Sequence, residues 1–168
     1  MNAKDAQVVR NGQVFLCRVA AVAHDDGRLL LHRRVGDEYW AFPGGRLMVG
    51  ETLESAVERE MHEETGLTVG ASRLLWVVEN FFTDQEKGTS GGPAIRHHEL
   101  GFYFLVDFDD ELRRRSQFRT STSKGGVAQE FQWFSVPDVL EVDFRPRVLI
   151  DAIGDLSTPP QIFINRDD

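Results

Sequence analysis

Apolar residues in this chain are grouped in short runs, and one longer stretch follows the period of a helix. The short runs are rich in Val, Leu, Phe and Trp and are bounded by Gly, Pro or Asp, which is typical of β-strands. They cover residues 14–24, 28–34, 39–42, 67–82, 100–108 and 130–135. The longer stretch, Leu53–Thr65, contains no Pro or Gly and is followed by Gly66, a frequent helix stop. Because strands outnumber helices, the pattern predicts an α+β fold built on a mixed sheet.

The segments between and after these runs are predicted to be turns, loops and two short helices. Asp25-Asp26-Gly27 is a turn signal that predicts a hairpin between the first two strands. Pro137 and Pro146 suit first helical turns, so helices are expected at 137–142 and 146–153. A polar lead, a mobile Gly-rich surface loop, a polar connection and a tail with an edge strand at 161–165 are expected at 1–12, 83–95, 109–129 and 155–168.

The composition is that of one globular domain. The chain has 168 residues, of which 41% are hydrophobic and 27% are charged, and this is enough apolar content for a real core. We expect a single domain over 1–168 with its core at about 14–154. No apolar run is long enough to predict a membrane span, and the first residues lack the apolar centre of a signal peptide. With a lone Cys17, which excludes an intrachain disulfide, these features predict a cytoplasmic protein with no membrane partner.

The net charge is −8, and it is concentrated in the helical stretch. Residues 51–64 alone carry six Glu and one Arg, or −5. At about 100° per residue, Glu63 and Glu64 lie within about 60° of Glu60 around the helix axis. The apolar positions of the first two turns share this azimuth; they are Leu53, Ala56 and Val57. Solvated charges belong on the opposite face of a helix, so these three carboxylates extend a buried face.

Three neighbouring carboxylates on a buried face repel one another, and a bound cation is the simplest remedy. Oxygen-only ligands in a partly open site suit Mg²⁺ or Mn²⁺. The alternative is a solvated acidic helix paired to lysines, but no Lys stands four residues before or after any of the three. An acidic protein must hold a polyphosphate through metal and local arginines, and long nucleic acid is not expected as a partner.

The stretch 45–67, GRLMVGETLESAVEREMHEETGL, resembles the Nudix box, the signature of the Nudix hydrolase family. The box consists of Gly, five residues, Glu, seven residues, and then Arg-Glu-apolar-any-Glu-Glu-any-Gly-apolar. Every specified place is filled here, by Gly45, Glu51, Arg59, Glu60, Met61, Glu63, Glu64, Gly66 and Leu67. Weaker likeness extends over most of the chain. The resemblance implies the family fold, an α/β/α sandwich with a central mixed β-sheet.

The resemblance also implies the metal ligands and leaves the general base open. Glu60, Glu63 and Glu64 would hold a divalent metal, Mg²⁺ or Mn²⁺, with the Gly45 carbonyl as a further candidate ligand. Glu130, at the start of the predicted strand EFQWFS, is a candidate for an added ligand or the base. Glu63 and Glu64 are the other two candidates for the base.

The remaining box residues are expected to support this site. The resemblance implies that Glu51 and Arg59 pair and orient the loop before the helix. On spacing alone, Arg59 equally suits a pair with Glu63, four residues further along the helix. In either arrangement Arg59 acts behind the metal ligands.

Candidate substrate-binding residues lie around the box. Alternation sends the two arginines that end the second predicted strand to opposite faces, and Arg34 is the one expected to bind a diphosphate. Gly44 and Gly45 let the backbone approach a ligand closely. The roles of His97-His98-Glu99 and of the basic residues within 113–119 stay open.

These observations predict a Nudix-type pyrophosphohydrolase that uses Mg²⁺ or Mn²⁺. It would cleave the diphosphate linkage of a nucleoside diphosphate joined to a group X, in a nucleotide sugar, a dinucleotide or a nucleoside triphosphate. One alternative is a non-catalytic nucleotide-binding or sensor module, although such modules usually lose box glutamates. The other is an RNA 5′-end pyrophosphohydrolase, which the net charge opposes. The expected partner is a small nucleotide, and the prediction allows a homodimer. The identity of the nucleotide and of X stays open.

Overall fold

The computed structural model describes residues 4–84, 94–121 and 127–167, which form two β-sheets and three α-helices. The large sheet contains β1 Gln7–Arg10, β2 Gln13–Val22, β5 Gly44–Arg46, β6 Val69–Asp84, β7 Ile95–Phe108 and β10 Gln161–Asp167. The small sheet contains β3 His24–Asp25, β4 Arg28–Arg34, β8 Gln117–Ser121 and β9 Ala128–Ser135. The helices are α1 Leu53–Thr65, α2 Asp110–Arg114 and α3 Val136–Leu140, and a 3₁₀ turn covers Arg147–Leu149.

The large sheet is mixed, as the sequence predicts. Its strand order is β1-β2-β7-β6-β10, and β5 pairs with β2 beside this path. β7 runs parallel to β2 and antiparallel to β6, while β10 runs parallel to β6. The parallel pair places the middle of β7 next to the part of β2 that carries β5, and β5 leads into the box.

Apolar side chains from helical segments cover both faces of the large sheet. Successive residues of β2 alternate between two cores. Ala56, Val57 and Met61 of α1 pack in the first core. Val139 of α3 and residues around the 3₁₀ turn pack in the second, against Trp76 of β6. This layering confirms the predicted α/β/α sandwich.

The helix α1 has the predicted bounds because both of its ends are capped. The Thr52 side chain accepts a hydrogen bond from the backbone N–H of Ser55. Gly66 has a φ of 73° and donates its N–H to the carbonyl of His62. Within the described residues, every helix is too short or too polar to cross a membrane.

The predicted hairpin is wrong in its pairing. The turn at Asp26 and Gly27, both with positive φ, joins the two-residue strand β3 to β4. β2 belongs to the large sheet instead, because its neighbours are β1, β5 and β7. The predicted strand at 39–42 is reduced to single bridges, since Trp40 pairs with Phe144 and Ala41 with His32, on different segments.

The ends and connections also differ from the predictions. The lead is not simply a polar extension, because β1 pairs with β2. The polar connection contains α2, capped by the Asp109 side chain, and β8. The two C-terminal helices are shorter than predicted, but the edge strand at 161–165 is confirmed as β10. Residues 85–93 of the predicted loop and 122–126 of the connection lie outside the described residues.

Candidate active site

The three glutamates project from α1 with graded exposure. The exposed fraction of the side chain is 3% for Glu60, 11% for Glu64 and 31% for Glu63. Glu60 lies against β5, because a Cβ added at Gly45 would come within 2.3 Å of its carboxylate. A side chain at position 45 would displace Glu60, and this explains why the first residue of the box is Gly.

The preceding glycine holds β5 close to β2. Gly44 has a φ of 152°, and a Cβ there would lie 2.1 Å from the carbonyl oxygen of Val19. Only Gly fits this contact without movement of the backbone. The Pro-Gly-Gly turn therefore brings the Gly45 backbone under α1.

Arg59 joins three of the box glutamates. Its Nε and Nη2 donate to the two carboxylate oxygens of Glu51 at 2.7 and 2.9 Å. Its Nη1 donates to Glu60 at 2.8 Å and to Glu63 at 3.3 Å. The bidentate bond to Glu51, followed by the contacts with Glu60, raises the pKa of Arg59 above its usual value. Both pairings that the sequence suggested are therefore present at once.

The same arginine fastens the loop before the helix. Arg59 Nη2 donates to the carbonyl oxygen of Arg46 at 3.1 Å, and Glu51 accepts from the backbone N–H of Met48 at 3.2 Å. The segment between β5 and α1 is thus tied to the helix through one side chain. These are the contacts that the supporting role implied by the resemblance for Glu51 and Arg59 would use.

His32 of β4 is a site residue that the sequence reasoning missed. Its Nδ1 lies 3.5 Å from Oε2 of Glu64, and both side chains are about nine-tenths buried. Burial, followed by the charges of Arg18 and Arg34, lowers the pKa of His32 to about 3, so the ring is neutral at pH 7. Alternation along RLLLHRR places His32 on the same strand face as Arg34, which is the signal that could have identified it.

The donor set suits a hard divalent cation, although the carboxylates do not converge. Within the described residues, no three His, Cys, Asp or Glu side chains are arranged to hold a metal ion as they stand. Glu60 and Glu63 face Arg59, and Glu64 faces His32. The donors are all oxygens on one helix face, and Gly45 leaves room for the Glu60 carboxylate, which fits Mg²⁺ or Mn²⁺ chemistry.

Glu130 lies away from this helix, contrary to the role suggested for it. It pairs across the strands with Arg33 and Arg119, so its side chain shares their face of the small sheet. His32, which contacts Glu64, pairs with Phe131 on the opposite face. Glu130 is therefore a poor candidate for a metal ligand or base beside α1.

The bonding of Glu130 explains what it does instead. Arg33 donates to one carboxylate oxygen at 2.8 and 2.9 Å, and Gln117 and Arg119 donate to the other at 3.0 and 3.1 Å. The bond from Arg33, with a further contribution from Arg119, lowers the pKa of Glu130 despite burial. Glu130 ties together β4, β8 and β9.

We predict that Glu130→Gln lowers stability rather than removing activity. A group whose pKa is lowered by folding stabilises the protein above its unfolded pKa, about 4.3 for Glu, and this contribution disappears as pH falls through the folded pKa. The variant should lose about 2 kcal/mol at pH 7 and approach the parent well below pH 4. Melting curves across this pH range check the expectation, with the exposed Glu38→Gln as control. A fall in kcat of tenfold or more without a change in melting would return Glu130 to the site.

The two histidines whose roles stayed open, His97 and His98, have local partners. His98 lies 3.0 Å from the Glu79 carboxylate and stacks on Phe81. His97 stacks on Phe82, with ring centroids 4.7 Å apart. Glu99 lies on the same face of β7 as His97, opposite to His98.

The basic residues within 113–119 are mostly engaged by acids. Arg113 contacts Asp110 and Asp25, and Arg115 contacts Glu111. With Arg119 on Glu130, this cluster is not an open basic surface.

Known proteins share both the fold and the sequence pattern. A family model described as NUDIX domain matches residues 15–152. The chain is 43% identical to an RNA pyrophosphohydrolase of Legionella pneumophila (strain Corby), over 80% of this chain and 78% of that protein. It is 27% identical to an RNA pyrophosphohydrolase of Pseudomonas paraeruginosa, over 81% of this chain and 87% of that protein. A crystal structure of the mutator MutT protein from Bacillus halodurans has a TM-score of 0.57 and 17% identity, over 90% of this chain and 89% of that chain, and shows the shared fold.

The fold and the box define an acid anhydride hydrolase that acts on a diphosphate linkage. The chain belongs to the Nudix hydrolase family. It is a pyrophosphohydrolase, and enzymes of this family generally need a divalent metal.

Proposed function

We propose that this enzyme cleaves the diphosphate linkage of a small nucleotide with Mg²⁺ or Mn²⁺ held by Glu60, Glu63 and Glu64. The substrate is a nucleoside diphosphate joined to a group X, as in a nucleotide sugar, a dinucleotide or a nucleoside triphosphate. The observation that carries the proposal is the set of three carboxylates on one side of α1. Arg59 bonds Glu60 and Glu63, Glu60 also lies against Gly45, and Glu64 contacts His32.

The exposure and contacts of the site residues suggest a different role for each. When bound, the divalent ion supplies charge for the phosphate oxygens and a more acidic water. Glu60, Glu63, Glu64 and the Gly45 carbonyl would hold it. The base that takes the proton of the attacking water is Glu63 or Glu64, because Glu130 lies on the other face of its strand.

Arg34 is proposed to bind the diphosphate. It lies on the strand face of His32, and its side chain makes no hydrogen bond or ion pair with any other described residue. The preceding residue, Arg33, forms an ion pair with Glu130 instead. A guanidinium on the face of β4 that carries His32, with no acid bound to it among the described residues, suits a phosphate group.

A second candidate function is hydrolysis at the 5′ end of RNA. It is favoured by the name of the Legionella pneumophila protein, which is 43% identical to this chain. The net charge of −8 and the engaged arginines near α2 argue against a long RNA track. Binding of RNA would weaken steeply with salt, whereas binding of a small nucleotide would change far less.

The remaining parts of the proposal concern the whole chain. All the box glutamates are present, which disfavours a non-catalytic sensor module. We also propose that the enzyme is a single domain over 1–168 and that it is cytoplasmic. A homodimer is compatible with the fold.

Metal dependence is the prediction that follows most simply. Mg²⁺ or Mn²⁺ should raise the melting temperature, because ions that bind only the folded state stabilise it. EDTA should abolish hydrolysis. Zn²⁺ should substitute poorly, since oxygen donors prefer harder ions. Full activity in EDTA would contradict the metal mechanism.

The substrate is tested with a panel of nucleotides. Nucleotide sugars, dinucleotides, nucleoside triphosphates and a 5′-triphosphorylated RNA are incubated with Mg²⁺ or Mn²⁺, and released phosphate is read after coupled phosphatase treatment. The proposal expects turnover of a small nucleotide that is insensitive to moderate salt. Turnover of RNA alone would support the second candidate, and no turnover of any compound would contradict both.

A further inference from the structure

Arg18 of β2 lies beside the candidate active site and makes no ion pair with any residue that the structure describes. Its Nη2 donates to the carbonyl oxygen of Gly44 at 2.8 Å, and this is its only side-chain hydrogen bond within the described residues. Burial would lower the pKa of Arg18, but nearby carboxylates, above all that of Glu99, outweigh burial and raise it. The guanidinium is therefore charged, fixed by Gly44, and left with donors to spare.

Glu99 of β7 is the complementary feature. Its exposed fraction is 9%, yet its carboxylate accepts no hydrogen bond and makes no ion pair with any described residue. Arg18 pairs with Gly101 across the strands, and Glu99 stands two residues before Gly101. Arg18 and Glu99 thus share one face of the large sheet, separated by about 7 Å along the strands.

The surface between these two charges is formed by Gly101 and the ring of Tyr103, and both residues are largely buried. Gly101 has no side chain, and the ring of Tyr103 lies so close that a Cβ there would be 3.0 Å from it. Beside Glu99 on the same face is Asn80, which accepts a hydrogen bond from Asn165 at 2.8 Å. Arg18 and Glu99 therefore suit a ligand with a hydrogen-bond acceptor for the guanidinium and a donor for the carboxylate.

We propose that Arg18 and Glu99 bind the 5′-phosphorylated ribose of the substrate. Arg18 donates to a phosphate oxygen, and the Glu99 carboxylate accepts hydrogen bonds from the 2′- and 3′-hydroxyl groups. This inference rests on the proposed function, because it places the nucleoside side of the diphosphate next to Gly44 and Gly45.

The spacing and chemistry carry this assignment. Carboxylates readily accept hydrogen bonds from ribose hydroxyls, and guanidinium groups donate hydrogen bonds to phosphate oxygens. Arg18 and Glu99 are two residues apart along the strand direction, which is about 7 Å. The 2′- and 3′-hydroxyl groups of a ribose lie at about this distance from its 5′-phosphate. Two residues before Glu99 on the same face of β7 is His97, whose ring stacks on Phe82 of β6. These rings supply apolar surface on the side of the ribose where the base would lie.

The test measures binding of products, so that it does not depend on turnover. Adenosine, guanosine and uridine 5′-monophosphates are compared by calorimetry with their 2′,3′-dideoxy counterparts. The proteins are the parent, Glu99→Gln, Glu99→Leu and Arg18→Lys. Glu79→Gln is the matched control, because Glu79 lies on the neighbouring strand, on the opposite face, and holds His98. Melting curves show which variants remain folded.

The parent and the control should bind ribonucleotides at least about tenfold more tightly than dideoxynucleotides, since hydrogen bonds to a charged group are lost with the hydroxyls. Glu99→Gln and Glu99→Leu should reduce this ratio to about threefold or less, with little change for the dideoxy compounds. Arg18→Lys should weaken both classes equally, because each keeps its phosphate.

Two results would overturn the assignment. One is a parent without preference for ribose, or a folded Glu99 variant that keeps the parental ratio. The other is tighter binding of one base over another, irrespective of the sugar, that disappears in Glu99→Gln. Intact ribose selectivity without turnover of any panel compound would refute the proposed hydrolysis and leave this subsite standing.

Discussion

Glu64→Gln is expected to leave a folded protein whose turnover is lower by about 10³ or more. The amide keeps the shape of the side chain but holds a cation poorly, and loss of roughly 4 kcal/mol of transition-state stabilisation corresponds to this factor. The fold should survive, because the neighbouring His32 is neutral and the bond from Thr120 goes to the backbone carbonyl of Glu64. Without metal, the variant should melt no lower than the parent, since one of three like charges is gone.

The measurement pairs turnover on the best panel substrate with melting curves with and without Mg²⁺. Glu54→Gln is the control, because Glu54 is exposed in the first turn of the same helix. With Mg²⁺ the order of melting temperatures should reverse, and the parent should melt higher. Parental turnover together with a lower melting temperature without metal would show that Glu64 is structural.

Arg59→Ala should lose both stability and activity. The change would leave Glu51 and Glu60, both largely buried, without the guanidinium that bonds them. Removing one partner of such a pair costs about 3 kcal/mol, which is roughly a 6–12 °C fall in melting temperature for a domain of this size. Activity should fall as well, because β5, which carries Gly45, is tied to α1 through the bond from Arg59 to the Arg46 carbonyl.

Arg113→Ala serves as the control for the loss of a charge, since Arg113 is half-exposed and its partners Asp25 and Asp110 lie outside the box. Arg59→Lys should give an intermediate loss, because a single ammonium cannot reproduce the bidentate bond to Glu51. If Arg59→Ala loses activity with an unchanged melting curve, Arg59 contacts the substrate instead of bracing the box.

The helix and its acids were predictable because their signals are local. A cap at each end, a helical period and three carboxylates within about two turns can be read from consecutive residues. The same is true of Gly45, whose need for a bare Cα comes from Glu60 fifteen residues later in the box. Confirmation of α1 at Leu53–Thr65 reflects this locality.

The misplacement of Glu130 has a different origin. Alternation correctly separated Glu130 from Phe131, but it could not tell which face of the strand meets α1. That depends on the pairing with β4, where Arg33 and not Arg34 stands beside Glu130. The basic partner Arg119 comes from β8, a strand within a segment whose polar composition predicted a connection.

Arg18 and Glu99 were also beyond the sequence. They are about 80 residues apart, and only the parallel pairing of β2 with β7 brings them to one sheet face. Glu99 directly follows two histidines, and the role of this segment stayed open from the sequence alone. His32 was hidden for a similar reason, because its proximity to Glu64 depends on how the small sheet packs on α1.

Binding of Mn²⁺ tests the metal site most directly, because it requires no knowledge of the substrate. Free Mn²⁺ is counted by electron paramagnetic resonance during titration of the parent, Glu64→Gln and Glu54→Gln. We expect the parent and Glu54→Gln to bind Mn²⁺ with the same affinity, and Glu64→Gln to bind it at least about tenfold more weakly, as loss of a charged ligand implies. Parental Mn²⁺ affinity in a folded Glu64→Gln protein would contradict the assignment of the metal to the glutamates of α1.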